Sequence, residues 1–77
     1  METALIDLQT RKKAKIIRLG GGFEFQRKLA SLNIRVGKTI KKIAGLPFGG
    51  PMVIEVDNTK ATLGRGMASK IFVEVEE

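Results

Sequence analysis

Few residues in this chain are of a type that carries out catalysis. The 77 residues include no His, Cys, Tyr or Trp. The usual general base, the soft metal ligands and the best stacking platforms for nucleic acid bases are therefore missing. Ser31 and Ser69 have no histidine partner, which excludes nucleophilic catalysis of the Ser–His kind. The composition predicts a protein that is not an enzyme.

Carboxylates are the remaining candidates for metal ligands. Glu55 and Asp57 stand two residues apart on one expected strand, and Glu74 and Glu76 do so on another. Residues two apart share a face of a strand, so each pair could hold a hard divalent cation. Paired acids of this kind are more often a solvated strand face. The sequence therefore offers these four residues as candidates without defining a metal.

The whole chain has a net charge of +6, and its basic residues are concentrated in one part. Residues 11–42 contain eleven Lys and Arg but a single acid, Glu24. Such a segment can attract nucleic acid, an anionic membrane face or an acidic protein. The bases are scattered among apolar residues, which favours a solvated surface over a dedicated binding loop.

The first half of the chain predicts a strand, a glycine turn and a helix. Residues 13–19 are rich in β-branched residues but lose alternation at Ile16-Ile17, which indicates a bulge. Three glycines follow as a flexible connector. Residues 23–32 are predicted to be helical, with one apolar stripe toward the core made by Phe25, Leu29, Leu32 and Val36. Asn33 is expected to end that helix in the left-handed conformation. Ile34 and Val36 are then expected to be buried on either side of a turn, before Gly37.

The second half predicts strands joined by short turns. Residues 38–44 lack strict alternation, which indicates a twisted or bulged strand. A hairpin is expected between residues 52–57 and 60–63, turning at Asn58-Thr59. A short helical turn is expected within 64–69 and a final strand over 71–76. Residues 1–10 are a lead-in or one helical turn that places Leu5 and Leu8 on the core.

The loop before the central strand carries the candidate contact residues. It reads Gly45-Leu46-Pro47-Phe48-Gly49-Gly50-Pro51, in which two prolines fix the backbone and glycines free it, so a defined shape is expected. Phe48 either folds back onto the domain or is an exposed apolar contact for a partner. The pattern leaves both alternatives open.

These elements together predict a fold of the mainly β class. A small SH3-like barrel of about five strands, with one short helix after the first strand, fits best because closing a sheet removes exposed edges. The alternative is an open α+β sheet with the helix on one face. The chain is interpreted as a single domain over residues 1–77. The N-terminus lacks the basic start and apolar region of a signal peptide, so a cytoplasmic location is expected.

The order of motifs resembles the FeoA (ferrous iron transport protein A) family. The resemblance rests on three runs, which are Phe25-Gln26-Arg27-Lys28-Leu29-Ala30-Ser31-Leu32-Asn33-Ile34-Arg35-Val36-Gly37, Pro47-Phe48-Gly49-Gly50-Pro51-Met52-Val53-Ile54 and Thr62-Leu63-Gly64-Arg65-Gly66-Met67-Ala68. Asn33 stands where the family usually has Gly, and Val36 where it usually has Pro.

The resemblance implies a cytoplasmic, non-enzymatic accessory or regulator of bacterial ferrous iron uptake. Its partner would be the membrane iron transporter that carries a GTP-binding domain, rather than a small-molecule substrate. The expected docking residues are Arg27, Lys28, Arg35, Phe48, Gly49 and Gly50. The family is also linked to transition metals, so a divalent metal such as iron is a possible cofactor. Two other hypotheses remain open, a nucleic-acid-binding barrel using the bases from Arg11 to Lys42 and a metal sensor using carboxylates.

Overall fold

A computed structural model describes residues 1–45 and 49–75 of the chain. Within these ranges the elements are six strands, two short helices and one 3-10 turn. In chain order they are β1 (Glu2–Ala4), the 3-10 turn (Leu5–Asp7), β2 (Lys13–Leu19), α1 (Phe23–Ser31), β3 (Thr39–Gly45), β4 (Met52–Val56), β5 (Thr59–Leu63), α2 (Arg65–Ala68) and β6 (Ile71–Val75).

The strands form one antiparallel sheet in the order β1-β6-β2-β3-β4-β5. The mainly β, barrel-like class is confirmed, with six strands in the described ranges instead of about five. The additional strand is β1, where Glu2 pairs with Glu74 and Ala4 with Phe72. The predicted closure is incomplete, because β1 and β5 are the edges of the sheet in the described part of the chain.

Both predicted irregularities lie in neighbouring strands. The pairing of β2 with β6 shifts between Ile16 and Arg18, and that of β3 with β4 shifts between Lys42 and Ala44. Each shift leaves one extra residue on the bulged strand, which bends the strand and increases its twist. These bends allow so small a sheet to wrap around its own core.

The core is made by alternate residues of the strands together with single residues from the helices. Met52, Ile54 and Val56 of β4 are all buried, as their alternation predicts, and so are Ile71 and Val73 of β6. The remaining buried side chains are Leu5, Leu8, Ala14, Ile16, Leu29, Ile34, Ile40, Leu63 and Ala68. Full burial of one such Leu or Ile stabilises the fold by about 1.5–3 kcal/mol.

The lead-in segment is more ordered than the sequence indicates. After β1 it forms the 3-10 turn, which buries Leu5 and Leu8 as expected. Lys42 Nζ donates hydrogen bonds to the carbonyl oxygens of Ile6, at 3.3 Å, and Leu8, at 2.8 Å. These bonds satisfy carbonyl groups that the short turn leaves without an intrahelical partner.

The hairpin of β4 and β5 turns at Asp57 and Asn58, with φ of 51° and 65°. Two left-handed residues in a two-residue loop match the twist of the flanking strands. The hairpin prediction is confirmed, with the turn beginning one residue earlier than expected. The helical turn predicted within residues 64–69 is also confirmed, as α2.

Candidate docking surface

Helix α1 carries the first two predicted docking residues. Leu29 lies on its buried side, and Phe25 is half-buried against the core. Arg27 and Lys28 are exposed on the outer side, and Arg27 Nη1 lies 3.6 Å from Glu24 Oε1. Exposed i,i+3 ion pairs contribute only a few tenths of a kcal/mol, so Arg27 is free to exchange this partner for another.

The end of α1 determines where the third predicted docking residue lies. The Ile34 N–H donates to the Leu29 oxygen, and the Asn33 N–H to the Ala30 oxygen, both at 2.9 Å. With Asn33 at φ 65°, these bonds form a Schellman motif. The left-handed Asn33 predicted from the sequence is confirmed.

The Schellman turn buries Ile34 but directs the next two residues outward. Arg35 is exposed, and Val36 is 60% exposed. The predicted burial of Val36 is therefore wrong, because the chain reverses at Asn33 and ends the helical spacing from which that burial was inferred. Gly37, which follows, has a left-handed φ of 96°.

Three phenylalanine rings in the described part of the chain each have a cation over them. Arg18 Cζ lies 3.9 Å from the ring centroid of Phe72, and Lys70 Nζ lies 5.1 Å from that of Phe25. The third ring, Phe23, lies 5.8 Å from Arg27 Cζ. Phe23 is 76% exposed at the start of α1, which makes it a large apolar group beside a predicted docking residue. Phe23 was not among the predicted docking residues, although its position just before the amphipathic stripe could have indicated it.

Gly49 and Gly50 lie directly before β4, while Phe48 lies outside the described residues, so both alternatives for Phe48 stay predictions. Gly49 has φ of 73°, and a Cβ built there would lie 3.4 Å from Arg65 Cδ. The Arg65 side chain on α2 thus packs along the Gly49 backbone. Arg65 was not among the predicted residues, because only the fold brings α2 to this loop.

The described carboxylates proposed as metal ligands each lie against a basic group. Asp57 Oδ2 accepts hydrogen bonds from Lys38 Nζ, at 2.6 Å, and from Asn33 Nδ2. The bond from Lys38, with smaller support from Asn33, lowers the pKa of Asp57 below its usual value of 3.8. Glu74 Oε2 lies 3.1 Å from the N-terminal ammonium, and Glu55 stands opposite Lys41 and Lys60 in the sheet.

Glu55 and Asp57 line one groove, together with Lys13 and Lys41, whereas Glu74 lies on β6, on the far side of β2 and β3. Residues 1–45 and 49–75 contain no group of three acidic side chains placed to share a metal ion. The resident metal implied by the family does not fit the described donors, and the fourth candidate, Glu76, lies outside the described residues. Metal binding by these four residues remains a prediction.

The fold and the surface together define a small, basic module of the mainly β, SH3-like class. Neither helix in the described ranges is long and apolar enough to cross a bilayer. The family model of the FeoA domain matches residues 3–75. The chain belongs to the FeoA domain family, which confirms the resemblance.

Solved structures support the same conclusion. The chain is similar to an iron uptake regulatory protein (FeoA), with 26% identity, a TM-score of 0.92 and coverage of 99% of this chain and 100% of that one. It is also similar to iron(II) transport protein A from Clostridium thermocellum, with 32% identity and a TM-score of 0.90, covering 95% of this chain and 45% of that one.

A third similarity concerns the fold alone. A manganese-dependent transcriptional repressor is 20% identical with a TM-score of 0.89, covering 97% of this chain and 42% of that one. The chain thus spans less than half the length of the repressor and of the clostridial protein. A search of curated protein sequences finds no match. The chain is related to iron uptake proteins and shares the fold of part of that repressor.

Proposed function

We propose that the protein is a non-enzymatic, cytoplasmic accessory or regulator of bacterial ferrous iron uptake. It acts by docking on the cytoplasmic part of the membrane iron transporter. The observation that supports this proposal is the FeoA family match over residues 3–75. The two similar proteins described as acting in iron uptake and iron(II) transport point the same way.

The outer side of α1 is the surface best suited to docking. Aromatic residues and arginine are both enriched in protein interfaces, and arginine is among the residues that most often dominate the binding energy. Phe23 and Arg27 provide it, and Lys28 adds a second cation. The ring contact restricts the Arg27 side chain before binding, so less conformational entropy is lost when a partner contacts it.

A second contact region lies at the other end of α1. Arg35 and Val36 pair a cation with an exposed aliphatic side chain, and the Schellman turn holds their backbone in place. Both regions combine apolar area with positive charge. The complementary partner surface therefore has an apolar pocket bordered by carboxylates.

A titration tests the docking directly. The ¹⁵N-labelled protein is mixed with the purified cytoplasmic, GTP-binding domain of the transporter, and amide shifts are followed. The expected result is saturable shifts in residues 23–37 and 49–50, with Phe48 as a further probe. The absence of any shift between residues 23 and 50 would reject this docking surface.

Matched variants separate the surface from overall charge. The double variant Arg27→Gln, Lys28→Gln removes two charges from α1, whereas Lys15→Gln, Lys60→Gln removes two exposed charges from the sheet. Truncation of a residue that dominates an interface costs more than about 1 kcal/mol, so about a tenfold weaker affinity is expected for the first variant only. Equal weakening by both variants would assign the effect to net charge and contradict the proposal.

A further inference from the structure

The fold gathers a cluster of bases that are far apart in the sequence. Lys13 on β2 stands directly opposite Lys41 on β3. Their neighbours Ala14 and Ile40 are also opposite each other and are both buried, so Lys13 and Lys41 share the solvent face of the sheet.

Two more bases extend the cluster through the turn before β2. The Arg11 N–H donates to the Lys42 oxygen at 2.6 Å, and the Lys42 N–H donates to the Lys12 oxygen at 3.2 Å. The turn is therefore fixed to β3, beside Lys41. The basic patch is defined by Arg11, Lys12, Lys13 and Lys41.

This arrangement is unfavourable for the isolated fold. Like charges directly opposite each other on adjacent strands destabilise a sheet. Arg11 also has a left-handed φ of 73°, which costs a residue with a Cβ about 1–2 kcal/mol. A bound anion would offset the repulsion between Lys13 and Lys41.

The nearest acid in the described residues does not neutralise the patch. Glu55 is opposite Lys41 and lines an open groove of about 180 Å³ that Lys13, Lys41 and Thr39 also line. The ion pairs within 4.0 Å among the described residues do not include Glu55. Asp57 lines the same groove but is bonded to Lys38, and Asp7 lines the neighbouring groove with Lys12. The four bases of the patch and Lys38 thus face three carboxylates, which leaves a net positive charge.

The surroundings of the patch indicate what kind of anion it suits. The described rings, Phe23, Phe25 and Phe72, belong to α1 and β6, so the patch has no stacking platform for single-stranded bases. It is built from a turn and from β2 and β3, the two central strands of the sheet, so it offers neither a helix nor a free two-stranded ribbon to enter a DNA groove. Flexible lysine side chains on an open sheet face suit a surface of many anionic headgroups, and each basic residue contributes about 1 kcal/mol to such binding.

We infer that the basic patch binds the anionic phospholipid headgroups of a bilayer. The purpose of this contact rests on the proposed function, because a protein that docks on a membrane transporter works beside such headgroups. The patch and the outer side of α1 share no residue. The protein can therefore contact lipid and transporter at the same time.

Vesicle co-sedimentation of the full chain tests the inference. Vesicles of phosphatidylglycerol and phosphatidylcholine are compared with vesicles of phosphatidylcholine alone. Binding to the anionic vesicles is expected, and it should weaken as salt rises. The double variant Lys13→Gln, Lys41→Gln should bind about tenfold to thirtyfold more weakly, since two lysines are lost.

The control variant is Lys60→Gln, Lys70→Gln, which has the same net charge and also replaces two exposed lysines. It should keep most of the lipid binding. Equal loss in both variants, or no binding to anionic vesicles at low salt, would overturn the inference. Circular dichroism of each variant confirms that it is folded.

Two further results separate this inference from its alternatives. The protein could bind duplex DNA more tightly than anionic vesicles at the same salt concentration and lose that binding in the double variant Lys13→Gln, Lys41→Gln. This result would assign the patch to nucleic acid and overturn the lipid assignment. The vesicles contain no transporter, and the docking titration contains no lipid. Failure of one experiment therefore leaves the result of the other intact.

Discussion

The Asn33 side chain donates a hydrogen bond from Nδ2 to Asp57 Oδ2, which joins the end of α1 to the turn between β4 and β5. Both residues have left-handed backbones, with φ of 65° and 51°. Lys38 donates to the same carboxylate oxygen at 2.6 Å. Asp57 therefore connects three segments that are distant in the sequence.

This connection predicts a specific dependence of stability on acid. The Lys38 ammonium lowers the pKa of Asp57 in the folded state. A carboxyl group with a lowered folded pKa contributes stability above its unfolded pKa, and loses it as pH falls through the folded pKa. The free energy of unfolding should therefore decrease below about pH 3.8. Urea denaturation across that pH range should show a shallower decrease of the free energy of unfolding for Asp57→Asn. The same decrease as in the unsubstituted protein would contradict the assignment.

The Schellman turn predicts different costs for two substitutions at Asn33. Asn33→Ala keeps a Cβ in the left-handed region and should lower the free energy of unfolding by about 1–2 kcal/mol. Asn33→Gly loses the same hydrogen bond to Asp57 but adopts this backbone without strain. Chemical denaturation should give a higher free energy of unfolding for Asn33→Gly than for Asn33→Ala. The reverse ranking would show that the left-handed backbone is not what limits this position, and would contradict the prediction.

Gly21 is predicted to be intolerant of a side chain. A Cβ at this position would lie 2.6 Å from Phe25 Cδ2, and φ is +79°. Gly21→Ala should therefore destabilise the fold by at least about 1 kcal/mol and displace the Phe25 ring. Gly66→Ala is the control, because nothing lies within 4 Å of its Cβ position inside α2. It should be neutral or slightly stabilising, as measured by thermal unfolding.

The basic patch makes a prediction about stability that is independent of any ligand. Lys13→Gln removes a like charge opposite Lys41 and should raise the free energy of unfolding by about 0.2–1 kcal/mol. Lys60→Gln removes a lysine opposite Glu55 and should lower it by a similar amount. Both effects should shrink in high salt, where surface charges are screened. If neither variant is more stable than the unsubstituted protein, or if both are, the result would contradict this arrangement of charges.

Local features of the fold were predictable because their causes are local. The lost alternation at Ile16-Ile17 indicated the bulge in β2, and Asn33 indicated the end of α1. β1 could not be predicted, because three residues without alternation become a strand only through pairing with β6 at the other end of the chain. The burial of Val36 was mispredicted because helical spacing was extended past a residue that reverses the chain.

The surfaces were harder to predict than the core. Arg27, Lys28 and Arg35 were selected for their charge, and the structure leaves all three exposed. The exposure of Phe23 and the contact of Arg65 with Gly49 depend on how α1 and α2 pack. The pairing of Lys13 with Lys41 depends on strand register, which a scan of composition cannot reveal.

The position of β6 between β1 and β2 has a consequence for synthesis on the ribosome. Both neighbours are made long before residues 71–75, so during translation each exposes a strand edge that only the end of the domain can cover. The nascent chain therefore cannot complete its sheet until those residues leave the exit tunnel. Over that interval β2 depends on β3 for its only hydrogen-bonded neighbour, and a ribosome stalled before residue 71 holds an aggregation-prone fragment.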